Sequence, residues 1–258
     1  MHVRKFWTIS HLIDSLSCKI SEHYAKFCQT GLILLRRSFR IFLPPFKKQW
    51  FWLINLEKID FHEIEKAKTL LNSNDLKGSL PLVFEEDRYR SALIYAIVKY
   101  HLGLLLDQPP QKLTLQRNEF GKPYLQGYPL HFNISHTKSY AFLGIHLSKQ
   151  IGVDIEEINH EIFEGIESFL FPYEKQWLFD CFKNPNEGAL ALWCAKEALL
   201  KAIGIGFSAN PIPRFICIEK ISEEIHRLKG TAHYFLKDTE VYVYNEVLTR
   251  HKIAVAIL

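Results

Sequence analysis

Long hydrophobic runs are missing from this 258-residue chain. No uncharged apolar stretch approaches the ~20 residues needed to span a bilayer, and the run from Gly31 to Leu35 ends at once in Arg36-Arg37. Cysteines are few, odd in number and scattered: Cys18, Cys28, Cys181, Cys194 and Cys217. No CxxC pair or Cys/His cluster suggests zinc, so reduced thiols in a cytoplasmic protein are expected. A convincing secretory leader is absent, because charged residues interrupt every apolar run near the start and no small-residue cleavage site follows one. The main body also lacks a basic excess. Residues 1–48 hold nine Lys/Arg and two acids, which leaves 23 basic and 26 acidic residues in the rest. A slightly acidic body excludes a general nucleic-acid binder.

What is present divides at Pro44-Pro45. Residues 1–48 read as a basic N-terminal extension, and membrane contact by them is not expected. The segment Trp50 to Leu56 reads as the first strand of the folded body. Phe61 to Asn72 has a helical pattern. A long helix is expected from Glu85 to His101, with acids at its start, Lys99 and His101 at its close, and Gly103 as its stop. Its apolar stripe is Ala92, Leu93, Ala96, Ile97 and Tyr100. Short strands follow at Leu130–Ile134, Tyr140–Leu147 and Ile151–Glu156, the last two joined as a hairpin by Ser148-Lys149-Gln150. Helical stretches come at 161–169 and 172–182. A further helix runs from Glu187 to Ile203, with Asn186 as its N-cap and Gly204 just past its end. Strands at 215–219, 232–237, 240–246 and 252–258 close the chain. Each half reads as helix followed by antiparallel strands. The expected fold is therefore α+β, with two similar lobes (49–157 and 158–258) and a cleft between them.

Two acidic clusters carry the chemistry. Asp154 and Glu156, in Gly152-Val153-Asp154-Ile155-Glu156, share one face of a strand because side chains alternate with period two. Glu197, in Trp193-Cys194-Ala195-Lys196-Glu197-Ala198-Leu199-Leu200-Lys201, sits one helical turn from Lys201 on one stripe with Trp193. Alone, the first pair reads equally as a solvated strand end, and the second as an ordinary helical ion pair. Brought together, three carboxylates make a hard-oxygen site suited to Mg²⁺, and a lysine beside it suits a phosphate. In Phe132-Asn133-Ile134-Ser135-His136, neighbouring side chains on an extended chain face opposite ways, which argues against a Ser–His catalytic pair. If the chain turns there, both can donate to one phosphate. Gly121-Lys122-Pro123 and Asp87-Arg88-Tyr89-Arg90-Ser91 add cations and a hydroxyl that can meet phosphate groups.

These segments, in this order, resemble the 4′-phosphopantetheinyl transferase superfamily, in particular its larger surfactin-synthetase-activating (Sfp) type. The matching stretches are Glu86–Arg90, Phe120–Pro123, Phe132–His136, Gly152–Glu156 and Trp193–Lys201, and the resemblance covers about residues 50–258. It implies two similar lobes around a coenzyme A cleft. It also implies transfer of the 4′-phosphopantetheine arm of coenzyme A to a serine of an apo acyl or peptidyl carrier protein, leaving 3′,5′-ADP. Asp154, Glu156 and Glu197 would hold Mg²⁺, with Glu197, Lys201 and Asp154 as the catalytic set. Glu197 would deprotonate the carrier serine, and Lys201 would contact the pyrophosphate. Arg90, Ser91, Ser135 and His136 would bind the 3′-phosphate end of coenzyme A, and Lys122 would lie along the adenosine.

The resemblance further implies a chain that acts as a monomer and a carrier protein docking near Ile205–Arg214, with Lys201, Arg214 and Lys220 steering an acidic partner. The sequence departs from the family pattern in two places. Lys77 is the single cation in Asn74–Pro81, where the family often places more. The first 48 residues have no counterpart. A catalytically silent module that binds coenzyme A or a carrier protein on the same fold is the alternative.

Overall fold

Trp50–Asn55 (β2) pairs antiparallel with Ser38–Ile41 (β1), a strand that lies inside the basic N-terminal segment. This is a computed structural model, and the residues it describes are 38–41, 49–57, 59–75, 85–158, 163–182, 184–205, 217–224, 227–234, 237–246 and 250–258. Most of the extension, Lys77, and residues 206–214 of the expected docking segment lie outside them, as does the side chain of Lys220. The chain is α+β, built from helices and antiparallel sheet. It falls into two compact units. One runs to Gln116 and includes Leu125–Tyr128 and Lys138–Ala141; the other comprises Arg117–Tyr124, Pro129–Thr137 and Phe142–Leu258. Among the described residues, no helix is long and apolar enough to cross a membrane.

In the first unit, Phe61–Lys68 (α1) starts at a reciprocal cap: Asp60 accepts from the Glu63 amide at 2.7 Å, and Glu63 accepts from the Asp60 amide at 3.1 Å. The long helix is Glu85–Leu106 (α2). Its expected apolar stripe is buried, together with Phe51, Leu53 and Ile54 of β2.

Two expectations for α2 fail. Gly103 does not stop the helix, which runs on to Leu106 before Asp107 adopts a positive φ of 53°. The glycine serves close approach: the Gln108 amide returns to the Gly103 carbonyl at 3.0 Å, and a side chain there would strike the Gln108 carbonyl. Lys99 and His101 do not close the helix, whose last turn holds no basic residue. Lys99 is buried against Asp75, and His101 is buried beside Trp52, donating from Nδ1 to the Ile97 carbonyl.

Next along the chain come Leu115–Arg117 (β3), Pro123–Leu125 (β4), His131–His136 (β5), Tyr140–His146 (β6) and Ile151–Glu157 (β7). The expected β6–β7 hairpin does not form, because the two strands belong to different sheets. His146 Nδ1 accepts from the amides of Ser148 and Lys149, and this turn redirects the chain. β7 instead becomes the edge of a five-stranded antiparallel sheet.

That sheet is completed by Cys217–Glu224 (β8), Arg227–Tyr234 (β9), Lys237–Glu246 (β10) and His251–Ile257 (β11), in the order β7-β11-β10-β9-β8. Asp154 stands opposite Ala254 and Glu156 opposite Lys252. Phe163–Ile166 (α3), Pro172–Cys181 (α4) and Pro185–Ile203 (α5) intervene. The N-cap of α5 is Asn184 rather than Asn186: its side chain accepts from the Asn186 amide, and Pro185 takes the first helical position, where a missing N–H is harmless. Gly204 ends α5 in the left-handed conformation, as expected. The core of this unit lies between α5 and β10 and β11, around Leu190, Ala198, Leu199, Val241, Val243, Ala254 and Ala256.

Candidate active site

The alternation of β7 decides which side chains meet α5. Ile151, Val153 and Ile155 share one buried face. Gly152, Asp154 and Glu156 share the other. At Gly152 the helix lies directly on the strand: any Cβ would overlap the Ala198 carbonyl and the Ala202 amide. This close approach brings the next two side chains on that face, Asp154 and Glu156, onto the Trp193–Glu197–Lys201 stripe of α5.

The contacts are specific. Lys201 Nζ donates to Asp154 Oδ1 at 2.5 Å and to Ser135 Oγ at 2.9 Å, and Ser135 donates in turn to Asp154 Oδ1 at 2.8 Å. Glu197 Oε2 is 3.7 Å from the same ammonium. Trp193 Nε1 donates to Glu156 Oε1 at 3.2 Å. Asp154 is 1% exposed, and its Oδ2 is buried without a hydrogen-bond partner.

Residues 150–257 match the family model of the 4′-phosphopantetheinyl transferase superfamily. The chain is 29% identical over 150 residues to the 4′-phosphopantetheinyl transferase gsp of Aneurinibacillus migulanus, covering 58% of this chain and 62% of that protein. It is 30% identical over 170 residues to an L-aminoadipate-semialdehyde dehydrogenase-phosphopantetheinyl transferase of Xenopus laevis, covering 59% and 56%. With the 4′-phosphopantetheinyl transferase of Bacillus subtilis it shares 29% identity over 128 residues, covering 48% and 56%. The chain thus spans between 56% and 62% of the length of these relatives.

Residues 150–257, and with them β7 and α5, are the part of this chain that is similar to the 4′-phosphopantetheinyl transferase superfamily. The superfamily match takes in Asp154, Glu156, Glu197 and Lys201, and stops short of Arg90, Ser91, Lys122, Ser135 and His136.

In this site three carboxylates crowd one ammonium. Burial, then the charge of Asp154, raises the Glu156 carboxyl to about 7 against the opposing Trp193 hydrogen bond. Glu197 also reaches about 7: burial raises it, Lys201 resists, and Asp154 and Glu156 add to the rise. Burial would lower Lys201, but Asp154 and Glu197 more than reverse that and hold its ammonium above the ordinary value. The excess negative charge and the unpartnered Asp154 Oδ2 suit a hard divalent cation. The structure does not close the trio into a ready cage, and among the described residues no group of three His, Cys, Asp or Glu is arranged to hold a metal. The Lys201 ammonium fills the space at Asp154 Oδ1 instead.

Ser135 was expected at a phosphate and stands inside the acidic site. The sequence signal for this was its period-two partner Asn133, whose Oδ1 accepts from the Val153 amide at 2.8 Å. Both polar side chains of β5 therefore serve β7. The chain stays extended through His136, which is exposed, so Ser135 and His136 lie on opposite faces. The Trp193–Glu156 bond has no sequence signal beyond the place of Trp193 on the Glu197–Lys201 stripe. Lys196 points away from Lys201, as its spacing predicts, into a buried pair with Glu174 at 2.6 Å.

Lys122 donates to the Ile151 carbonyl at 3.1 Å, the Ala202 carbonyl at 3.0 Å and Gln150 Oε1 at 3.4 Å. Arg90 and Ser91 lie on α2 in the other unit. Arg90, with Tyr89, Leu93, Leu56, Ile64 and Lys138, lines a cavity of about 580 Å³ there.

Proposed function

We propose that this protein transfers the 4′-phosphopantetheine arm of coenzyme A to a serine of an apo acyl or peptidyl carrier protein in the cytoplasm, acting as a monomer and releasing 3′,5′-ADP. The observation that carries this reading is the meeting of Asp154, Glu156, Glu197 and Lys201 on the facing sides of β7 and α5. Phosphoryl-type transfer needs positioning and charge neutralisation more than covalent help.

Asp154, Glu156 and Glu197 are the residues that would hold Mg²⁺, whose chemistry there is to neutralise the pyrophosphate oxygens. Lys201 is free to exchange Asp154 for a pyrophosphate oxygen, keeping an anionic partner throughout. Glu197, on the facing side of α5 and 3.7 Å from Lys201, is the carboxylate assigned as the base. It takes the proton of the carrier serine as that oxygen bonds to the phosphorus bearing the pantetheine arm. The bond from that phosphorus to the nucleotide oxygen breaks, and 3′,5′-ADP leaves with the electron pair. Ser135 holds Asp154 and Lys201 in register through its two hydrogen bonds. His136, Arg90 and Ser91 are assigned to the 3′-phosphate end of coenzyme A on the resemblance alone, and the carrier is assigned to the region after Ile205 on the same ground.

The test is the mass of an apo carrier protein incubated with this protein, coenzyme A and Mg²⁺. A gain of one phosphopantetheine is expected. No gain with any of several fatty-acid, polyketide and nonribosomal-peptide carriers would overturn the reading.

A further inference from the structure

The hairpin tip Asn118–Lys122 holds the two elements of the acidic site from outside it. Asn118 organises the tip: its Oδ1 accepts from the amides of Phe120 and Lys122, and its amide bonds the Lys122 carbonyl at 2.9 Å. Gly121 takes a positive φ of 87° to close the turn.

From this rigid base two side chains reach the C-terminus of α5, where the last carbonyls have no partner within the helix. Asn118 Nδ2 donates to the Gly204 carbonyl at 2.8 Å, and Lys122 Nζ donates to that of Ala202. The same ammonium holds the carbonyl of Ile151, the first residue of β7. Its three protons meet three acceptors. Ala202 follows Lys201 directly, and Ile151 lies three residues before Asp154. Gly204 makes room: a Cβ there would come within 3.2 Å of Asn118 Nδ2 and 3.3 Å of Lys122 Cδ.

We infer that Asn118 and Lys122 are positioning residues that clamp the end of α5 to the start of β7 and so set the register of Lys201 and Glu197 against Asp154. This gives Lys122 a positioning role behind the acidic site in place of the adenosine contact implied by the resemblance, and it rests on the transferase reading for its catalytic consequence. The half-buried ammonium fits that role. Burial lowers its pKa to about 8, a cost compensated by two backbone carbonyls, with the exposed Gln150 side chain as a third, longer acceptor.

The experiment compares Lys122→Met, Lys122→Arg and Asn118→Ala with the parent by amide hydrogen exchange and by carrier modification. Both Lys122→Met and Asn118→Ala should speed exchange of the amides at 200–205 by about tenfold while leaving 190–196 unchanged. Both should lower kcat about tenfold with KM for coenzyme A held within about twofold. Lys122→Arg should recover part of each loss. Asn118 is the deciding position, because it brings no cation to a ligand. Unchanged exchange, or faster exchange with intact kcat, overturns the inference. So does a rise in KM confined to the Lys122 variants. If the parent protein modifies no carrier, the transferase reading falls, and the exchange data alone decide whether the clamp exists.

Discussion

Lys201 reaches 2.5 Å from Asp154 Oδ1, across from a helix onto a strand, and leaves Asp154 Oδ2 buried without a partner. One carboxylate thus shows two faces, one bonded to a cation of the protein and one buried without a hydrogen-bond partner. Removing the ammonium leaves a buried charge uncompensated. Lys201→Met should cost about 2–4 kcal/mol in urea unfolding at neutral pH, at the lower end because Lys201 keeps 25% of its side chain exposed. Mg²⁺ should restore part of that loss, seen as a rise in melting temperature larger than in the parent.

The raised carboxyls give a pH dependence of definite sign. Glu156 and Glu197 move from 4.5 to about 7 on folding. Between those values the folded chain binds more protons than the unfolded one, so stability falls as pH rises through that window. Two such groups make the fall on the order of 2–5 kcal/mol when no metal is present. Thermal melts in chelator from pH 4.5 to 8 measure it. Glu156→Gln and Glu197→Gln should each flatten the slope.

Gly152→Ala should separate strand from helix. The added methyl overlaps backbone at Ala198 and Ala202, which no rotamer relieves. A loss of about 3 kcal/mol or more is expected, at the upper end for overpacking. Activity should fall at temperatures where the variant is still folded, because the Asp154–Lys201 contact depends on this approach.

The pair Lys196–Glu174, with both side chains 1% exposed, is a control for charge without chemistry. Lys196→Met removes the buried cation from Glu174, leaving the Phe171 amide as a donor at 2.8 Å, and should cost about 3–5 kcal/mol. The double change with Glu174→Leu should recover most of this loss. Neither should alter the metal dependence of transfer in protein that remains folded.

The legible parts of the sequence were those governed by local periodicity. Period two put Asp154 and Glu156 on one face, and a period near four aligned Trp193, Glu197 and Lys201. Gly204 marked the end of α5 because only a left-handed residue fits there. Long-range approach was not legible. Gly103 looked like a helix stop and instead admits the Gln108 carbonyl. Ser148–Gln150 had hairpin length, yet the turn held by His146 sends β7 into another sheet. Lys122 offered a cation, but its three acceptors come from segments 28 to 80 residues away. Ser135 showed its hydroxyl without showing that Asp154 and Lys201 would claim both its hydrogen bonds.

Glu197→Gln isolates the base from the rest of the acidic site. It keeps the shape of the side chain, removes the base and one oxygen anion from the site, and lies 3.7 Å from Lys201. The measurement is the rate of phosphopantetheine addition to an apo carrier protein, read by mass, with melting temperature recorded in parallel. The variant should fold, and its transfer rate should fall by about 10²–10⁴. A folded variant that modifies its carrier at the parent rate would contradict it.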